Sequence, residues 1–410
     1  MGIKNLKHLL THTCGQGVIH HESVEIFLRR ERMRDKTLTS RPYILGIDAN
    51  LFLMRYKRIF DRAEIGILKQ IMITLSAGML PVYVFDGKAP KEKRNKVNQR
   101  KSKINSKQEE LNELINEYNS GTQSMNDSDA NEADTEVSDH EIINSDSVYS
   151  EIWGSPDFAQ EEMIKRIELL KKQSTHIDPY DLKHVKTLLD MIGIPHYTAT
   201  QEADDLLSNM YKKGKIDACL SDDTDMLPKG CGNMIQINKD GVTQFILDDI
   251  LNFYKFTRDE FVDLCILLGP DYDFSYLPKF RQNQELNNCK DNSVFYKSSS
   301  IPDAFYHKSS TRALCILEVF NQTRSISAFL KRHSENDPDV MNHIDEYVAC
   351  RKLFLENNEI IPNLEFKINT VLYYKIEKYF ESISIRLIPE SERKFKALIK
   401  KANRFINLLN

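Results

Sequence analysis

Apolar residues recur along the chain in two rhythms. Short runs rich in β-branched and aromatic residues stand at 43–47 (YILGI), 81–85 (PVYVF), 194–198 (IPHYT) and 217–220 (DACL). Their length suits strands and is too short for buried helices. Between them, 63–77 and 179–192 repeat apolar positions at three- and four-residue spacing, which predicts amphipathic helices. Alternating strands and helices predict an α/β fold, a mostly parallel sheet flanked by helices. From Asp248 onward the pattern is mostly helical, in DDILNFYKFTRDEFVDLCILLG and SSTRALCILEVFNQTRSISAFLKRH, with a polar Asn- and Ser-rich stretch at 281–300 between them. A C-terminal helical half is therefore expected beside the sheet.

Residues 119–155 break both rhythms. They are acidic and nearly free of large apolar side chains, so ordering them would cost entropy that little burial offsets, and a disordered insertion is expected. This divides the chain into an N-terminal region at 1–118, the insertion at 119–155, an internal region at 156–272 and a helical half with tail at 273–410.

Charge changes the picture through its distribution. The net charge is −4, which argues against a polyanionic partner, but residues 88–107 carry nine Lys or Arg against the single Glu92. That stretch predicts a basic surface. A hydrophobic share of 41% fits a folded protein. The seven cysteines lack C-x-x-C spacing and read as free thiols in a reducing, intracellular setting, with nucleus and cytoplasm not distinguished. No run approaches the roughly 20 apolar residues of a membrane span, and MGIKNLKHLL has no signal-peptide core, so no membrane association is expected. Gly2 invites a myristoylation reading, which Leu6 at the Ser/Thr position opposes.

The candidate chemistry is acidic. In a parallel sheet, ligand sites lie beyond the carboxyl ends of the strands. Asp48 follows YILGI, Asp86 follows PVYVF, and Asp223 and Asp225 follow DACLS. Glu202 and Asp204 open the helix QEADDLLSNMY. Positions i and i+2 do not share a helix face, so this pair converges only if Glu202 sits in the first turn or cap, where the positive helix end tolerates acids. Asp271, after FVDLCILLGP, is placed to close the group, while Asp205, Asp222 and Asp273 read as caps, turns or surface charges.

Seven clustered like charges repel strongly and call for cations. Hard oxygen donors select Mg²⁺, with Mn²⁺ able to substitute. Two such ions, ~3.5–4 Å apart, can clamp a phosphodiester for hydrolysis. No nucleophile–histidine pair stands near these motifs, and His20, His21 and His196 read as ordinary surface or core residues. A dehalogenase-like phosphotransferase reading of Asp223-Thr-Asp225 lacks its following turn and lysine partner.

At these residues the chain resembles the flap endonuclease branch of the XPG family of structure-specific 5′ nucleases. MGIKNL, IDAN, VYVFDGKAP, QEAD, SDDTDML and FVDLCILLGPDY occur in family order over about 270 residues. The resemblance implies a PIN-like 5′-nuclease core with Asp86, Glu202 and Asp204, and Asp48 nearby, at one metal site. Asp223, Asp225 and Asp271 would form the other. It implies catalytic roles at the scissile phosphate for Lys93 and Arg100 on a basic arch. DNA contacts are implied at Gly2, Lys88 and Lys103, and at Ser309, Ser310, Thr311 and Arg312 in a degenerate helix–two-turn–helix. The partner implied is branched or flapped DNA, bound by a monomer.

The chain also departs from that family pattern. It carries extra residues, RRERMRDKTLTS, before the Asp48 motif, and Met54 replaces a base-stacking tyrosine, leaving Phe52 or Tyr56 to stack or to pack the core. The Gly-x-Gly turn that would bind duplex phosphate and potassium is missing, and 36 residues, 273–308, intervene before the helix–two-turn–helix match. The tail has no sliding-clamp box. Alternative readings are a catalytically inactive nucleic-acid-binding or scaffold homologue, and a 5′–3′ exonuclease on DNA or RNA.

Overall fold

The computed structural model describes every residue except 1, 4, 16, 127–157, 271, 273–307, 335–343, 358, 388 and 410. The core of the expected insertion therefore lies outside the described residues, as do Asp271 and Asp273. The chain forms two units, one from Met1–Leu51, Ala77–Lys96 and Ile194–Lys367, the other from Phe52–Ser76, Val97–Gly193 and Ile368–Asn410.

The first unit contains a seven-stranded sheet in the order β1-β7-β6-β5-β2-β3-β4. The strands are β1 (Val18–His21), β2 (Tyr43–Asp48), β3 (Met79–Phe85), β4 (His196–Thr198), β5 (Ala218–Leu220), β6 (Asn233–Asn238) and β7 (Gly241–Ile246). Strands β2 to β6 pair in parallel, with β2 central between β3 and β5. β7 runs antiparallel to β6, and β1 antiparallel to β7. The four expected strands are β2 to β5, and the mostly parallel sheet is as expected. The antiparallel edge is an addition: Asn238 and Gly241 face each other across a tight turn, and a Cβ on Gly241 would stand 2.1 Å from the His21 carbonyl oxygen. Only glycine lets the neighbouring backbone come that close.

Burial follows the pattern. Tyr43, Leu45 and Ile47 in β2 and Val82, Val84 and Phe85 in β3 are almost wholly enclosed. Central parallel strands covered on both faces need such unbroken apolar runs. The helix Ala203–Lys212 packs on β2, β3 and β5. The helix Arg258–Leu268 is buried from Phe261 to Leu268 because three helices, Lys308–Thr323, Ile326–Ser334 and Ile344–Leu355, pack around it. Its one enclosed acid, Asp263, is bonded by Arg351 at 2.8 Å. This is the helical half expected from the sequence.

The second unit is helical. Ala63–Ser76 packs against Pro179–Ile192 and Pro389–Leu409. Asp178 caps Pro179–Ile192 with a reciprocal box to Asp181, Pro179 opens it, and Gly193 closes it at φ 79°, signals that fix both ends of the helix. The helix Arg94–Asn126 runs past residue 119, so the expected insertion begins inside a helix. Phe52 is buried, and Tyr56 lies over Gly66, where a Cβ would meet the ring at 2.1 Å; both aromatics serve packing.

The extra residues before β2 also have a structural task. They form the end of the helix Val24–Arg34 and the turn Lys36–Thr39. Buried Glu31 accepts hydrogen bonds from the Tyr43 hydroxyl at 3.1 Å, Asn233 at 2.8 Å and Gln244 at 3.0 Å. Truncating Glu31 takes one acceptor from each of these three enclosed donors. Glu31→Ala is therefore expected to lower unfolding free energy by roughly 2–4 kcal/mol in urea titration, and a loss below about 0.5 kcal/mol would show that the network is not needed.

Candidate active site

The parallel strands β2, β3 and β5 all run into acids. Asp48 ends β2 and is buried; it accepts from the Leu51 amide at 3.3 Å and the Ser221 hydroxyl at 3.3 Å. The Ser221 oxygen in turn accepts from the Asp223 amide at 3.1 Å, which ties the ends of β2 and β5. Asp223 caps the short turn Thr224–Met226 by accepting from the Asp225 amide at 3.0 Å. Asp86, just past β3, accepts from the Ala203 amide at 2.9 Å. That amide opens the helix Ala203–Lys212, whose positive end favours an anion there. Gly87 lets the chain pass close by, since a Cβ would stand 2.1 Å from the Ala199 carbonyl oxygen.

Glu202 is the N-cap of that helix, with extended backbone at φ −102° and ψ 139°. It is thus outside the helix proper, which frees it from the face rule that would separate it from Asp204. The two converge on one cation: Lys229 Nζ lies 2.9 Å from Glu202 and 3.4 Å from Asp204. Lys93 meets the other Glu202 oxygen at 2.5 Å and rests 4.7 Å above the Tyr272 ring. The Tyr272 hydroxyl donates to Glu202 at 3.3 Å. Gly2, at φ 86°, reaches the same edge. A Cβ there would be 2.3 Å from Asp223 Oδ1, and the Ile3 amide donates to Thr224 Oγ1 at 3.1 Å.

The electrostatics record the crowding. Burial, then the charges of Asp86 and Asp204, push the Asp48 carboxyl well above its usual range. Burial and Asp223 do the same to Asp225. Burial and Asp204 raise Asp223 to about 6. Asp86 is open to solvent, yet the protein around it and the charges of Asp204 and Glu202 lift it to about 6 despite its bond from Ala203. Glu202 moves the other way. Burial would raise it, but Lys229 and Lys93 overcome this and hold it at about 2. Lys93 is itself raised, the neighbouring carboxylates outweighing its desolvation.

Six of the seven acids expected as metal ligands are thus neighbours, and Asp271 lies outside the described residues. Among the described residues, no three His, Cys, Asp or Glu side chains close into a ready ligand set; like charges without a divalent cation between them hold apart. The donor set nevertheless fits hard cations. It is all oxygen, and both Asp225 carboxylate oxygens are buried without a hydrogen-bond partner. A native structure rarely leaves a wholly enclosed carboxylate unsatisfied.

The remaining expected residues are more scattered. Lys88 is exposed beside Gly87, while Arg100 and Lys103 are exposed on the helix Arg94–Asn126 in the second unit. Ser309, Ser310, Thr311 and Arg312 fall in the first turns of the helix Lys308–Thr323, but their side chains are not among those described. Sequence reasoning missed Lys229 and Tyr272. It also read Asp205 as a surface charge, whereas Asp205 pairs with buried Lys229 at 3.1 Å. The available signal was a lone lysine in the otherwise uncharged run MLPKGCGNMIQI.

Comparison with known proteins finds likenesses in sequence and in fold. Residues 193–271 match the XPG I-region, a span that contains Glu202, Asp204, Asp223, Asp225 and Asp271. The chain is 24% identical over 283 residues to flap endonuclease 1 of Trypanosoma cruzi (strain CL Brener), covering 66% of this chain and 61% of that protein. To flap endonuclease 1 of Entamoeba histolytica it is 28% identical over 214 residues, 51% of this chain and 45% of that one. The chain spans about three fifths, or less, of the length of these relatives. In fold it is similar to the catalytic core of Rad2 in complex with DNA substrate, with a TM-score of 0.56, 14% identity, and 97% and 100% of the two chains covered. The flap endonuclease-1 of Methanococcus jannaschii gives a TM-score of 0.52 at 15% identity, with 96% and 97% covered. Residues 193–271 thus carry an XPG I-region, and the chain around them is similar in sequence to flap endonucleases and in fold to the Rad2 catalytic core and flap endonuclease-1.

Proposed function

We propose that the protein is a metal-dependent nuclease that hydrolyses the phosphodiester backbone of branched DNA, cutting at 5′ flaps or related ends. The observation that carries this reading is the acid cluster at the strand ends, with Asp225 enclosed and its two carboxylate oxygens unpartnered. The flap endonuclease relatives and the DNA-bound Rad2 core support the substrate class.

Asp86, Glu202 and Asp204, with Asp48 beside them, would hold one divalent ion, and Asp223, Asp225 and Asp271 the other. Mg²⁺, or Mn²⁺ in its place, supplies activation of water and stabilisation of the leaving oxygen when bound. The chain's own residues do the rest. Asp86 and Asp48 are oriented by the Ala203 and Leu51 amides and the Ser221 hydroxyl, so their carboxylates are positioned before substrate arrives. Lys93 can exchange Glu202 for a phosphate oxygen and neutralise charge that grows in the transition state. The family resemblance implies a like role for Arg100, on the helix Arg94–Asn126. Gly2, Lys88 and Lys103, with Ser309, Ser310, Thr311 and Arg312, contact the strand and duplex backbones, where cations and hydroxyls give affinity without sequence preference. A frayed branch favours cleavage because opening base pairs near the cut costs a few kcal/mol. The protein acts as a monomer in an intracellular compartment.

The test is cleavage of end-labelled 5′-flap, 3′-flap, nicked, bubble, blunt duplex and single-stranded DNA with Mg²⁺ and with EDTA. Cleavage near the base of the 5′ flap should dominate and vanish in EDTA. Equal rates on all substrates would defeat the structure-specific reading, and a ladder from the 5′ end would indicate an exonuclease. DNA binding without cleavage of any substrate would favour the scaffold reading. Asp225→Ala should reduce single-turnover cleavage by roughly a thousandfold or more, with DNA affinity within a few-fold; wild-type turnover in this variant would remove the acid cluster from the mechanism. Lys93→Ala should slow the same step by roughly a hundredfold and leave duplex affinity nearly unchanged. A matching loss of affinity and rate would assign Lys93 to binding alone.

A further inference from the structure

The acid cluster already contains a cation of its own. Lys229 is 1% exposed, and its ammonium lies 2.9 Å from Glu202, 3.1 Å from Asp205 and 3.4 Å from Asp204. It is the one cation among the described residues that touches three carboxylates here, since Lys93 meets Glu202 alone. The backbone beneath it is fixed. The Lys229 amide donates to the Asp225 carbonyl at 3.2 Å, and Arg258 donates to the Lys229 carbonyl at 3.0 Å and to that of Pro228 at 3.2 Å. Gly230, next in the chain at φ 94°, packs where a Cβ would stand 2.5 Å from Lys212 Cε. A long side chain anchored this closely at its base and charged at its tip has little freedom to leave.

We propose that Lys229 is a resident counter-ion and positioning residue of the carboxylate centre. It holds Glu202 and Asp204 in place without metal and weakens divalent binding at that half of the site. The proposal rests on the metal-binding reading given above. Its logic is Coulombic: Glu202 and Asp204 are the acids that would recruit one divalent ion, and a fixed positive charge about 3 Å away opposes that ion's arrival by an amount that grows as water is excluded. The other half differs. Asp225 has no hydrogen-bond partner on either oxygen and no ammonium within ion-pair distance among the described residues, so a divalent ion meets less opposition there. The free chain is thus asymmetric toward divalent ions, and the phosphate of a bound substrate supplies the negative charge that lets the Glu202 half fill.

Mn²⁺ titration of the full chain, followed by the electron paramagnetic resonance of the free ion, tests this without reference to cleavage. Lys229→Met and Lys229→Gln should each bind Mn²⁺ roughly tenfold tighter than wild type, or bind one further ion, because one opposing charge is gone. Lys229→Arg should stay close to wild type. Unchanged or weaker Mn²⁺ binding in both folded neutral variants would overturn the proposal and leave the nuclease reading standing. No Mn²⁺ binding by any of the chains would overturn both. If the neutral variants do not fold, the wild type still decides: without DNA it should hold one Mn²⁺ at least about tenfold tighter than any second ion, and two ions bound with equal affinity would contradict a resident counter-ion at the Glu202 half.

Discussion

Repulsion among carboxylates gathered at one sheet edge is the constraint on which the rest of this protein depends. Asp48, Asp204 and Asp225 are buried, and each added negative charge makes the next harder to keep ionised. The chain meets this in three ways. Backbone amides and a hydroxyl bond Asp48, Asp86 and Asp223. A helix N-terminus faces Asp86 and Glu202. Two lysines, Lys93 and Lys229, bring positive charge to Glu202. In this group the Asp225 carboxylate alone is left with neither a hydrogen bond nor an ion pair among the described residues, and this residual imbalance is what points to divalent ions and to phosphodiester chemistry.

The opposite pKa movements within this group follow from position. Glu202, between two ammonium groups, stays ionised to about 2, whereas Asp86 and Asp223 rise to about 6. The sign follows directly. Carboxylates raised on folding bind protons more tightly in the folded chain, so between their ordinary range and about pH 6 they favour the folded state as pH falls and oppose it as pH rises. Glu202 acts in reverse, contributing stability at neutral pH that is lost as pH falls through its depressed value. Such tension between acids of one site is the usual mark of a functional centre rather than of a structural core.

The sequence was most legible where spacing alone carries geometry. Four of the five parallel strands could be read from short apolar runs, and because acids follow three of them directly, the parallel topology sufficed to gather Asp48, Asp86, Asp223 and Asp225. Glu202 required one more step, the cap position that releases it from helix geometry. The hairpin of β6 and β7 was missed although NKDG between IQIN and VTQFI is a turn signal; β1, with VIHH, carries too little alternation to be recognised. Glu31 looked like one charge in an inserted basic segment, and only the folded chain shows it accepting three buried hydrogen bonds. Lys229 was invisible for a similar reason: whether a lysine faces solvent or three carboxylates depends on contacts with residues 24 to 27 positions earlier, which no local pattern encodes.

The central claim is that this acid cluster holds divalent cations around Asp225. Anomalous X-ray scattering from crystals of the full chain grown with Mn²⁺ and a 5′-flap DNA tests it most directly. The account predicts a strong peak within ligand distance of the Asp225 carboxylate and a second shared by Asp86, Glu202 and Asp204. Intact DNA seated in the site with no peak near either group would contradict it.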